Sequence, residues 1–70
     1  MYYVNDKQFK DKCTAREYSW QLCYNFSKHE KHWKIVTLKS TTDSMLDSYA
    51  VYDIVNKEYV YDAVIITEGA

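Results

Sequence analysis

The stretch from Thr14 to Trp33, TAREYSWQLCYNFSKHEKHW, constrains this chain more than any other part of it. It opens with a threonine and carries Glu17 three residues later. At that spacing a hydroxyl and a carboxylate reciprocally satisfy free amides at a helix start. A helix is therefore predicted over about 14–32. At about 100° per residue, Ala15, Tyr18, Leu22, Phe26, His29 and Trp33 share one stripe, with Ser19 beside it, and that stripe is expected to face the core. Trp20 and Tyr24 fall on the opposite side, one turn apart, among Glu17, Ser27, Lys28 and Lys31. An ordinary surface helix is polar there. Two large rings in that position need a cover, and what covers them is the functional question.

Seventy residues suffice for a single small domain over 1–70, and such a domain buries only about 60% of the surface its unfolded chain exposes. Large rings compensate. Eight Tyr, two Trp and two Phe account for 17% of the chain, and each can bury on the order of 150–250 Å². Two cysteines, Cys13 and Cys23, are too few for a disulfide scaffold, and no apolar run of signal-peptide type follows Met1, so a cytoplasmic location is expected. The apolar run Ala63 to Ile66 is far shorter than the roughly 18 residues of a membrane span. Proline is absent and the single glycine is Gly69, which excludes a glycine loop of the phosphate-cradling kind.

Charge is divided along the chain. Up to Lys39 there are eight cations against four acids; from Ser40 onward Lys57 stands alone against Asp43, Asp47, Asp53, Glu58, Asp62 and Glu68. Two readings follow: a basic helical face and an acidic sheet face that each meet a partner, or opposite charges that meet within the fold.

Met1 to Phe9 reads as a β-hairpin turning at Asn5-Asp6, with Asn5 as the cap of a short helix through Lys12 as the competing reading. Tyr2, Tyr3 and Phe9 are then candidates to cover Trp20 and Tyr24. Beyond the helix, residues 33–39 (WKIVTLK), 48–55 (SYAVYDIV) and 58–67 (EYVYDAVIIT) are rich in β-branched and aromatic residues and predict a three-stranded antiparallel meander. Pairing Ile54 with Tyr59, Tyr52 with Tyr61 and Ala50 with Ala63 collects an uncharged face of Ala50, Tyr52, Ile54, Tyr59, Tyr61, Ala63 and Ile65, expected against the helix. The reverse face would display Tyr49, Val51, Asp53, Val55, Glu58, Val60, Asp62 and Val64. The class is α+β, one helix on a sheet.

Motifs of chemistry are missing. Cys13 and Cys23 stand ten positions apart and His29 and His32 three apart, against the closer cysteines and wider histidines of a zinc finger, and HEKH is one residue short of HExxH. No nucleophile elbow is present, and a chain of this size has little room for a pocket. The expectation is a non-enzymatic protein without metal or cofactor. Lys28, Lys31 and Lys34 beside His32 and Trp33 could contact phosphates and stack on a base, with Arg16 extending the patch.

In overall character the chain resembles the small proteins with which phages and other mobile elements block host machinery, anti-CRISPR proteins among them. The resemblance implies a stoichiometric inhibitor acting in the host cytoplasm on a nuclease or nucleic-acid-handling complex. In that reading Asp53, Glu58 and Asp62, with Asp43 and Asp47, would occupy a basic groove made for DNA. Two surfaces are thus candidates for a protein or nucleoprotein partner: Trp20, Tyr24, Ser27, Lys28 and Lys31 on the helix, and Asp53, Glu58 and Asp62 on the sheet. A nucleic-acid-binding regulator using the basic helix end, and a homodimer closed by Trp20 and Tyr24, are the alternatives.

Overall fold

The computed structural model describes residues 1–68. Their order is β1 (Tyr2–Val4), β2 (Lys7–Phe9), α1 (Lys12–Ser27), β3 (Trp33–Leu38), β4 (Met45–Asp53) and β5 (Glu58–Thr67). The class is α+β, as expected, but the strands form one five-stranded antiparallel sheet in the order β2-β1-β5-β4-β3. The N-terminal hairpin is therefore part of the sheet: β1 pairs with β5, setting Val4 opposite Ile65. Its two-residue turn places Asn5 at a φ of 54°, a left-handed conformation that asparagine tolerates.

The helix cap lies three residues earlier than the Thr14-Glu17 spacing predicts, and the helix starts at Lys12. Asp11 is the cap: its carboxylate accepts the Thr14 N–H at 3.1 Å and the Thr14 hydroxyl at 3.2 Å. An aspartate three residues upstream of a threonine gives an equally good cap, and its carboxylate also favours the positive end of the helix dipole. The helix ends at Ser27, five residues short of the expected end, so His29 and Trp33 are not on it. Ser27 C=O is taken by the Glu30 N–H at 3.0 Å, a turn in place of a further helical bond. Phe26 then stacks on Trp33 at 5.2 Å and on Tyr61 at 4.5 Å, so the reversal into β3 is held by three rings.

The buried residues of α1 are Ala15, Ser19, Cys23 and Ser27, at intervals of four. The core stripe is thus rotated toward Cys23, and Phe26 lies at its border, 42% exposed. Beneath it the core gathers Val4, Ala15, Cys23, Val51, Ala63 and Ile65, with Tyr18, Leu22, Leu46, Tyr49 and Tyr61 around them.

The register of the last two strands departs from the predicted one by two residues next to the loop and by one beyond it. Asp53 pairs with Glu58 and Tyr52 with Tyr59; a bulge at Val60 then sets Val51 opposite Tyr61 and Ala50 opposite Asp62. Since successive side chains point to opposite faces, Tyr49, Val51 and Asp53 turn toward the helix while Ala50, Tyr52 and Tyr59 turn away. The cause lies in the connecting loop. Asp53 accepts the Val55 and Asn56 N–H groups at 2.9 and 3.0 Å and the Asn56 side-chain amide at 2.8 Å, and Lys57 takes a φ of 57°. These bonds remove Ile54 and Val55 from the strand.

A second irregularity opens the ladder between Leu46 and Tyr49. Two hydroxyls fill it. Ser19 donates to Ala63 C=O at 2.6 Å and accepts the Tyr49 N–H at 3.2 Å. Ser48 accepts the Ile65 N–H and donates to Leu46 C=O, both at 2.8 Å. The helix is thereby bonded into the sheet at a fixed rotation.

Candidate partner-binding site

That rotation decides what the helix shows to solvent. With Ser19 locked between β4 and β5, the next residue, Trp20, is turned outward, and Tyr24 follows one turn later. They are 44% and 47% exposed. Their rings stack on each other, with centroids 5.2 Å apart and planes 13° from parallel. The N-terminal hairpin does not cover them. Its Phe9 packs on Tyr18 at 5.2 Å, beneath the Lys7 ammonium, which lies 5.1 Å from the Tyr18 ring. Beside Trp20 is an open cleft of about 360 Å³ lined by Arg16, Glu17, Trp20, Gln21 and Tyr49. Its floor is fixed, because the Tyr49 N–H is the group that Ser19 holds. Arg16 lines this cleft instead of extending the lysine patch at the far end of the helix, and Gln21 and Tyr49 join it without having been expected there; the i−4 and i+1 spacing of Arg16 and Gln21 from Trp20 is the available signal for those two.

The remaining residues singled out from the sequence are dispersed. Ser27 is buried on the sheet side of the helix. Lys28 caps the helix C-terminus and Lys31 lies in the turn beyond it, both exposed. Asp53 is buried and engaged by its own loop, where the Asn56 main-chain N–H above all, with the Asn56 side chain, Trp33 and Val55, holds its carboxyl below the usual carboxylate range despite desolvation. Glu58 is exposed opposite it, whereas Asp62 belongs to the other face of the sheet. Asp47 is similarly occupied: it accepts the Ser40 N–H at 2.9 Å, the main cause of its lowered pKa, and pairs with Lys39 at 3.5 Å. The acids therefore do not form a single displayed surface.

Lys28, His29, Lys31, His32 and Lys34 are all exposed around the end of the helix and the start of β3. Among the described residues no three His, Cys, Asp or Glu side chains come together as a metal site. Cys13 is exposed in the first turn, while Cys23 is buried, and desolvation, with Asp62 adding, pushes its thiol up to about 11. It stays protonated at neutral pH and is a poor nucleophile. No described helix is long and apolar enough to cross a membrane. Comparison with protein-family models, with curated proteins and with solved structures finds no match.

Proposed function

We propose that the protein is a non-enzymatic binding module that docks a protein partner on the outer side of α1, with Trp20 and Tyr24 as anchors and Arg16, Glu17 and Gln21 as the polar rim. The observation that carries this reading is the stacked, uncovered Trp20–Tyr24 pair beside the cleft over Tyr49. Stacking holds both rings before binding, so little side-chain freedom is lost on docking, and aromatic anchors ringed by polar groups dominate the energetics of protein contacts. Lys28 lies close along the helix to meet an acidic group at the rim. The resemblance to phage and mobile-element inhibitors makes a host nuclease or nucleic-acid-handling complex the first partner to try, bound stoichiometrically. The mode differs from a DNA mimic, because Asp53 and Asp47 are engaged within the fold.

The test is affinity capture from nuclease-treated host lysate, followed by calorimetric titration with the purified partner. Trp20→Ala/Tyr24→Ala, folded by circular dichroism, is expected to lose binding by a factor of a hundred or more, since paired anchors contribute at least about 2 kcal/mol each. Unchanged binding by that variant would remove the helix face from consideration. A second reading, a nucleic-acid-binding regulator, rests on the exposed Lys28, Lys31 and Lys34 with His29 and His32. It predicts an affinity that falls steeply with salt and is indifferent to Trp20 and Tyr24.

A further inference from the structure

The helix covers one face of the sheet, and among the described residues no second layer covers the other. Alternation along the strands places Tyr3, Val36, Tyr52, Tyr59, Val64 and Ile66 on that open face, with Tyr59 59% and Ile66 41% exposed. Ala50 is at its centre, in register with Val36 on β3 and Asp62 on β5. Lys34 stands on the same face, in the neighbouring row with Tyr52 and Tyr59. Lys34 and Asp62 are both exposed, on the two strands that flank β4, and neither is in an ion pair; among the described residues that bond is made by Lys39 and Asp47 alone.

We propose that the open face is the interface of a homodimer, sheet packed on sheet about a two-fold axis running along β4. Such an axis lays β3 of one copy over β5 of the other. Each Lys34 then meets the Asp62 of its partner, one side-chain row or about 7 Å away along the strand, a distance the lysine stem spans. The face is its own charge complement, which is what an isologous contact requires. Ala50, at the centre, is already covered by its neighbours, so the contact is made by the rings and aliphatic side chains around it, Tyr52, Tyr59 and Ile66 foremost, at the roughly 10 Å spacing of packed sheets. Pairing through the free edge of β3 is the poorer solution, because Lys34 within that strand and Lys39 just beyond it protect it. In the dimer both helices face outward, so two Trp20–Tyr24 surfaces are presented at once and a multimeric partner is bound with avidity.

Sedimentation velocity on the full chain tests the proposal. A dimer is expected at micromolar concentrations. Asp62→Lys, which sets lysine against lysine, and Tyr59→Ser/Ile66→Ser, both at exposed positions, are each expected to raise its dissociation constant roughly tenfold or more. Lys34→Asp/Asp62→Lys restores the complementarity and should recover the dimer, while Trp20→Ala/Tyr24→Ala leaves it intact. Circular dichroism confirms that each variant is folded. A wild-type monomer at about 100 μM overturns the proposal, as does a dimer lost with Trp20 and Tyr24 but indifferent to the sheet variants. Either result is separate from partner binding through the helix, which the calorimetric titration reads on its own.

Discussion

Along α1, the side that meets the sheet carries Ala15, Ser19, Cys23 and Ser27, whereas the side that faces away carries Trp20 and Tyr24. Small residues inside and large rings outside reverse the usual arrangement of a surface helix. The inner side is small because the helix lies close enough for the Ser19 hydroxyl to reach both an Ala63 carbonyl and a Tyr49 amide across an opening in the ladder. A ring could not fit there. Trp20 and Tyr24 are thus not core residues out of place: the core is completed by Tyr18, Leu22, Tyr49 and Tyr61 from either side, and the outward rings stabilise mainly each other.

The contrast can be broken most severely from the inside. Ser19→Leu adds volume where none is free and removes both bonds, with an expected loss of about 3 kcal/mol or more in urea unfolding. Ser19→Ala keeps the close approach but leaves the Tyr49 N–H and Ala63 C=O short of a partner, for about 2 kcal/mol. A smaller, pH-dependent loss is expected at Asp53, away from the helix. Its carboxyl is held below the usual range in the fold, so its contribution is present above the ordinary carboxylate pKa and is lost as pH falls through the lower folded value. Asp53→Asn should flatten the acid limb of a urea midpoint against pH curve between neutral and acid pH, Asp47 supplying what remains. From the outside, Trp20→Ala/Tyr24→Ala should change stability by only about 0.5 kcal/mol while abolishing partner binding. A large loss of stability in that variant would show the rings to be structural and would dissolve the comparison.

Much of the local structure was legible. The turn at Asn5-Asp6, the strand beginning at Trp33 and the extent of β5 follow from turn chemistry and from β-branched and aromatic enrichment. Outward placement of Trp20 and Tyr24 follows from helical periodicity, which is insensitive to where the helix starts. The misreadings have a common origin in competition between short-range bonds. Asp11 and Thr14 both offer a cap, and the aspartate takes it. Asp53 reads as one of several acids along a strand, yet its bonds to Val55 and Asn56 set the length of the loop, and with it which face every residue of β4 occupies. Grouping Asp53 with Asp62 failed for that reason. Val60 gave no sign of the bulge, since a valine suits a regular strand equally well.

What the sequence alone determined is the set of elements: one helix, strands rich in rings and β-branched residues, and two aromatic residues turned away from the helix's inner side. These depend on interactions within a few residues. Tertiary structure decided which helical residues are innermost, that the hairpin joins the sheet through β5, and which face of the sheet is left open. Those outcomes rest on bonds between residues far apart in the chain, Ser19 with Ala63 and Val4 with Ile65, and no local pattern encodes them. They form only when the strands have met, and a one-residue change in how they meet exchanges the two faces of the sheet.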